Sequence, residues 1–374
     1  MANTFITLKT IARKALPRLM DELVFPSLVY KDYSDSFSEL GDTVQVRKPV
    51  LLTASEFDQA AGVDYQDINE SSVDVKLDKL ATVDVAAGAI ESAVSLGSEE
   101  ALERDFIEPA IHALAEKINS DGLMLYRDVP YCVGTAGTPI GTLNDLSLIR
   151  KKMNDMKIPS TNRVAVLDSE ADAALITVPA LVNAEKSGDT KALRQGCLGR
   201  VFGVDYYMSQ AVKKHVSGLS SANGLKLSAA VSAGADSLSL TASSLTGKLV
   251  KGDLLLIGSD TYTVTQDSAS ASSNAISGVK VYPLLKAYAA NTSVTPIASH
   301  TAGLAFDPSA FAFVTRPLIN PNGRGVESYV TSFGGVSLRV TKGYDQKYKK
   351  STYSMDVLYG YRTVYPELAV RILG

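Results

Sequence analysis

The sequence has no tryptophan, only three histidines and two cysteines among 374 residues, and a formal net charge of -3 at pH 7. These scarcities narrow the field. Cys132 and Cys197 lie far apart without a partner motif. The expectation is free thiols in a reducing compartment, in a protein that is cytosolic or matures in a cytosol. His112, His215 and His300 have neither a carboxylate nor a second histidine at metal-ligand spacing, and neither cysteine has a histidine nearby in sequence. A zinc centre and a catalytic thiol are therefore disfavoured. No apolar run approaches the roughly 20 residues that cross a bilayer. Lys9, Arg13 and Lys14 interrupt the apolar start of the chain, so it lacks a signal-peptide core. "TGKLVKG" (246–252) lacks the spacing and the hydroxyl of a phosphate loop. "GTAGTPIG" (134–141) has the wrong intervals for a dinucleotide turn and reads as a loop between domains. Glu99 and Glu100 are explained by helix capping, and the sequons at Asn69 and Asn291 have meaning only in a secreted chain. Catalytic chemistry finds no foothold.

What is present is organisation. Residues 1–40 read as an arm: a helical pattern through Ile11, Ala15, Leu19 and Leu23, interrupted at Pro17 and ended at Pro26. Such a short amphipathic segment must rest its apolar face on its own chain or on a neighbour. "GDTVQVRKP" (41–49) is a strand, with Val44 and Val46 alternating against Thr43, Gln45 and Arg47. About twenty irregular residues follow before alternation returns at "VDVKLDKLATVDVAA" (73–87), and loops that long in compact domains usually have a task. The tip holds Glu56, Asp58, Asp64, Asp67, Glu70 and Asp74 without a lysine or arginine among them. Since a two-stranded hairpin is marginal by itself, the passage reads as an arm that lies on another molecule.

From Ser98 to Tyr126 a helix is expected, roughly 40 Å long. Leu102, Phe106, Ala110, Leu114 and Ile118 repeat along its apolar face, Pro109 should kink it, and His112 should pack beside that face. Residues 142–215 show an α/β pattern. "LNDLSLIRKKMNDMKIP" is a helix capped by Asn144 or Asp145, "NRVAVLD" a buried strand, "SEADAALITV" a second helix and "GRVFGVDYYMSQAV" a further strand. Residues 217–299 turn to serine, alanine, threonine, glycine and valine in short alternating runs, the pattern of a small all-β module inserted into the α/β domain. The run Lys342, Lys347, Lys349 and Lys350, interleaved with Tyr344 and Tyr348, is the one nucleic-acid candidate. It reads better as a solvated hairpin turn, because the chain as a whole is not basic.

The order of these parts resembles the major capsid protein of tailed double-stranded DNA phages, the HK-ninety-seven fold, and in particular the phage P-twenty-two coat-protein branch. The stretches that carry it are "DYSDSFSELGDTVQVRKP" (32–49), "ALAEKINSDGLMLY" (113–126), "LNDLSLIRKKMNDMKIPSTNRVAVLD" (143–168) with "GRVFGVDYYMSQAV" (199–212), and "SMDVLYGYRTVYPELAVRIL" (354–373). "GDLLLIGSDTYTVTQDS" (252–268) is similar to that branch's insertion domain.

The resemblance implies an α+β fold with an N-arm (1–40), an E-loop hairpin (41–85) and a peripheral domain with its spine helix (86–141). An axial α/β domain (142–216 and 300–353), an inserted small β-barrel domain (217–299) and C-terminal strands (354–374) returning to the peripheral and axial core would follow. It implies a shell of pentamers and hexamers, with no catalysis and no cofactor, built in the host bacterial cytoplasm with a scaffolding protein and a portal, and with no membrane. Double-stranded DNA would be enclosed without sequence-specific binding, and a decoration protein is a further partner the family allows. The alternative is an encapsulin-like bacterial nanocompartment shell, against which the β insertion and the motif order argue. The expected inter-subunit contact residues are Arg47, Lys48, Glu56, Asp58, Asp64, Asp67, Arg324, Arg339, Lys342 and Lys347, with the acidic hairpin tip meeting Arg324, Arg339, Lys342 and Lys347 of a neighbouring copy.

Overall fold

The computed structural model describes residues 8–31, 43–47, 72–88, 107–183, 191–321, 326–348 and 350–374. The chain divides into two compact units. One comprises Met1–Pro17, Lys31–Ile107 and Ala312–Val364; the other comprises Arg18–Tyr30, Glu108–Phe311 and Tyr365–Gly374.

The first helix, Leu8–Glu22, buries Ile11, Ala15 and Leu19, the apolar face read from the sequence. Pro17 does not interrupt it. The residue is exposed, so the amide it lacks would have faced water, and the helix continues five residues beyond it. Pro26 likewise lies inside a short second helix, Val24–Leu28, rather than ending the segment.

The first unit is organised by the long strand Lys350–Thr363. It pairs with Phe311–Arg316 and Val336–Asp345, the latter in turn with Val326–Phe333, and also with Lys79–Gly88. Buried Val336, Leu338, Val340, Met355, Val357 and Tyr359 form its interior. Phe313, Tyr359 and Tyr361 stack there, the closest ring centroids 4.8 Å apart.

The second unit contains a mixed seven-stranded sheet. Its order runs Cys132–Gly134, Ala369–Leu373, His300–Phe306, Val164–Leu167, Val204–Met208 and Gly199–Val201, with Lys214–His215 paired to the start of His300–Phe306. Val164–Leu167 is buried at every position, as a central strand covered on both faces must be. The expected single strand at 199–212 is instead a tight hairpin. Phe202 and Gly203 both adopt positive φ, the conformation that matches a two-residue turn to strand twist. "GTAGTPIG" is no link between domains: it leaves the edge strand Cys132–Gly134 and stays within this unit.

Helix Leu143–Asp155 starts with a capping box, and the cap is Thr142 rather than Asn144 or Asp145. The Thr142 hydroxyl accepts from the Asp145 amide at 3.2 Å while the Asp145 carboxylate accepts from the Thr142 amide at 3.0 Å. The helix ends in a Schellman turn. Lys157 takes φ 56, and the Ile158 amide reaches back to the Met153 carbonyl at 3.0 Å. Leu146, Ile149 and Met153 point from it into the core shared with Ala165, Leu167, Tyr206 and Ile372.

Helix Glu108–Leu123 buries Ala110, Ile111, Leu114, Ala115 and Ile118. Its 16 residues span about 24 Å; the stretch from Ser98 to Phe106, and with it the longer spine, falls outside the described residues. Pro109 is no mid-helix kink, because it sits in the first turn of Glu108–Leu123, where the amide it lacks would have no partner within the helix. His112 is not a packing histidine. It sits about 100° round the helix from Ile111, is exposed, and pairs through Nδ1 with Glu22 at 2.9 Å.

Residues 217–299 bring six antiparallel strands into one sheet, with a separate pair formed by Leu219–Asn223 and Ser244–Gly247. Leu227, Leu240, Leu249, Leu255, Ile257, Tyr262 and Val264 centre a core of their own. The sheet's first and last strands also meet: the Leu227 amide donates to the Thr292 carbonyl at 3.0 Å and the Val294 amide to the Leu225 carbonyl at 2.9 Å.

Candidate functional site

The hairpin near the front of the chain is rooted in the first unit. Thr43–Arg47 and Ser72–Lys76 pair antiparallel from Thr43↔Lys76 to Arg47↔Ser72. The chain then passes buried Leu77 and enters Lys79–Gly88, which follows Lys350–Thr363 from Lys79↔Tyr359 to Gly88↔Lys350. Gly360 marks the crossing. A Cβ there would stand 2.0 Å from the Lys76 carbonyl oxygen, so only glycine lets the hairpin's base lie this close to the long strand. The same sheet exposes Leu80, Val85, Phe333 and Tyr344, with Phe333 at 68%, and Tyr348 stands exposed at 63% in the turn at the end of the long strand away from Gly360. Several large apolar side chains presented by one sheet are a feature of surfaces that meet a partner.

Of the residues expected at inter-subunit contacts, Arg47 ends the strand Thr43–Arg47, while Lys48, Glu56, Asp58, Asp64, Asp67 and Arg324 lie outside the described residues. Arg339 is engaged within its own sheet. Nη2 and Nε donate to Asp356 Oδ2 at 2.6 and 2.9 Å, and Nη1 donates to the Ile319 carbonyl at 3.1 Å. Asp356 is buried and also accepts from Ser354, so the pair is a fixed, partly desolvated cross-strand link. Lys342 and Lys347 are exposed, their ammonium groups 5.7 Å from the Tyr353 ring and 5.2 Å from the Tyr348 ring. The Lys347 and Tyr348 amides donate to Asp345 Oδ1, so Lys347 sits in the turn that follows Val336–Asp345, while Lys342 lies within that strand.

The second unit holds a buried polar cluster that sequence spacing could not reveal. His215 Nε2 lies 2.9 Å from Asp253 Oδ1, and Tyr126 Oη lies 3.1 Å from His215 Nδ1. The His215 and His300 rings are 5.4 Å apart. Arg371, fully buried, spreads its guanidinium 4.4 Å from the Tyr126 ring centre and donates from Nη1 to the Gly252 carbonyl at 2.7 Å. Among the described residues no three His, Cys, Asp or Glu gather closely enough to hold a metal ion, and no helix is long and apolar enough to cross a membrane. Cys132 and Cys197 are free thiols.

Against solved structures, the match covers 94% of this chain and 90% of a chain from Mycobacterium phage Che8, at 17% identity and a TM-score of 0.54. The two share a fold. Weaker likenesses are to the capsid structure of the cyanophage P-SCSP1u (12% identity, 89% of this chain and 83% of that one, TM-score 0.46) and to a chain from Gordonia phage Cozz (14%, 94% and 86%, TM-score 0.44). No family model matches the sequence, and no curated protein matches it.

Proposed function

We propose that this chain is a major capsid protein of the HK-ninety-seven type, in the phage P-twenty-two coat-protein branch. Copies join through pentamers and hexamers into an icosahedral shell that encloses packaged double-stranded DNA. The observation that carries the reading is the hairpin of Thr43–Arg47 and Ser72–Lys76, two five-residue strands rooted at Gly360 on a sheet that exposes large apolar side chains. Two strands alone are marginal in water, so the projection gains its stability by lying on a second copy. The fold shared with the phage Che8 chain supports the same conclusion.

The mechanism is assembly rather than turnover. One patch of a subunit meets a different patch of the next, and head-to-tail contacts of this kind close into rings. Individually modest interfaces let misplaced subunits leave, while many contacts per subunit make the finished shell persistent. In this reading residues 1–40 are the N-arm, 41–85 the E-loop, 86–141 the peripheral domain, 142–216 and 300–353 the axial domain, and 354–374 the returning strands. The hydrogen bonds joining the ends of the six-stranded sheet support an inserted β-barrel at 217–299. The net charge of -3 suits a container, because a strongly basic wall would hold DNA through counterion release. A scaffolding protein and a portal would take part in assembly in the host cytoplasm, and the chain itself would perform no catalysis.

The acidic tip, Glu56, Asp58, Asp64 and Asp67, would meet basic side chains of the neighbour. Lys342 and Lys347 are exposed candidates, and Arg324 would be a further one; Arg47 and Lys48 would make inter-subunit contacts of their own. Arg339 would contribute less, its guanidinium being held by Asp356. The double reversal Asp64→Lys with Asp67→Lys should leave a folded subunit by circular dichroism and abolish particles by electron microscopy. Normal particles from that variant would refute the charge pairing.

A further inference from the structure

We propose that Tyr126, His215, Asp253, His300 and Arg371 form a proton-operated latch that fixes the all-β segment 217–299 to the seven-stranded sheet. The proposal stands without the shell reading, because it rests on the geometry of one unit.

The hydrogen-bond chemistry fixes where the protons are. A carboxylate only accepts, so His215 Nε2 carries its hydrogen toward Asp253 Oδ1 at 2.9 Å. In the neutral ring Nδ1 is then the bare acceptor, and the Tyr126 hydroxyl donates to it at 3.1 Å. The other Asp253 oxygen accepts from the Val250 amide at 2.8 Å and the Gly218 amide at 3.3 Å. One carboxylate thus pins the chain where it enters the β segment and again at the turn before the buried strand Leu254–Ile257. Arg371 grips that turn from the sheet through the Gly252 carbonyl. Gly252 has φ +95, and a Cβ there would stand 2.7 Å from Arg127 Cγ, so the turn is closed on both sides.

His300 is the proton site. Its Nδ1 lies 2.7 Å from the Ala298 carbonyl, which only accepts, so Nδ1 bears the hydrogen and Nε2 is a bare acceptor. That Nε2 is buried and has no partner among the described residues, as is true of Arg371 Nε and Nη2. The charged and titratable groups that bear on His300 are Arg371, His215 and Asp253; Arg371 in turn feels Tyr126, Cys132, Asp253 and Arg127. Burial pushes the Cys132 thiol up, so it is neutral, and Lys251 closes on Asp128 at 2.8 Å. The Arg371 guanidinium already bears on this ring, and the one carboxylate that does so, Asp253, is occupied by His215. A proton on His300 would add a buried cation with no acid left to answer it. Burial first, and the Arg371 charge second, hold the His300 pKa at about 4, against an ordinary value of 6.5.

The sign follows. Once the latch opens, His300 takes up a proton at its ordinary pKa, while the closed latch resists until about pH 4. Closure is at full strength above pH 6.5, weakens as pH falls toward 4, and changes no further below that. At pH 5 the opening equilibrium should be roughly 30-fold more favourable than at pH 7.5.

Hydrogen exchange on the full chain at pH 7.5 and pH 5, corrected for intrinsic rates, reads this at the Gly218 and Val250 amides and along Leu254–Ile257. The expected result is that roughly 30-fold rise in opening, a flat response in His300→Gln, and a smaller rise in Arg371→Met. Equal protection at both pH values, or a full acid response in His300→Gln, would overturn the latch. Should the variants not fold, proton NMR titration of His300 in the unaltered chain decides: a midpoint near 4 supports the latch, and one at 6.5 or above contradicts it.

Discussion

Asp253→Ala is expected to destabilise the second unit by about 3–5 kcal/mol, because a buried carboxylate that several donors share is removed. The carboxylate is 2% exposed, and it answers three donors: His215 Nε2, the Val250 amide and the Gly218 amide. Alanine leaves all three without an acceptor in a place water does not reach, and each orphaned buried donor costs about 1–3 kcal/mol. Asp253→Asn keeps one acceptor oxygen and should lose roughly half as much. Urea unfolding followed by tyrosine fluorescence measures both. A useful contrast is Asp236, whose 2.7 Å pair with Lys280 stands in solvent, and Asp236→Ala should leave the midpoint where it is. An Asp253→Ala midpoint equal to that of the unaltered protein would mean that the Tyr126–His215–Asp253 chain holds nothing.

Gly360→Val should have the second large effect, and on assembly more than on folding. The new side chain would have to occupy the space of the Lys76 carbonyl, 2.0 Å from even a Cβ, and a main-chain atom gives way less easily than a side chain. The long strand is a central strand, paired with Phe311–Arg316 as well as Val336–Asp345 and with Lys79–Gly88 as far as Tyr359, so the hairpin base should be the part that lifts. A stability loss of about 1–3 kcal/mol is expected, together with disappearance of particles in sedimentation. Particles in normal yield would show that the hairpin's seat on the long strand is immaterial to assembly.

What could be read beforehand was local. Val44 and Val46 alternate, and they lie in a strand; Ala110, Leu114 and Ile118 recur at helical spacing, and they are buried. Turn and cap chemistry was legible only in part. Asn144 and Asp145 read as caps, yet Thr142 is the cap, because Asp145 three residues on is the partner that completes its capping box. His112 shows the limit of reading neighbours in sequence, since adjacency to Ile111 turns it away from the apolar stripe. The polar cluster was illegible for a different reason. Tyr126, His215, Asp253, His300 and Arg371 come from five separate segments, and only strand pairing such as His300↔His215 brings them together. No spacing rule finds residues that meet through a sheet.

The measurement that bears most directly on the shell reading is hydrogen exchange at residues 43–47 and 72–76 across a concentration series followed by electron microscopy. If the hairpin rests on a sibling copy, these amides exchange rapidly in the dilute subunit and become protected as closed particles appear. Protection that is already complete in a solitary subunit, with no particles at any concentration, would contradict it.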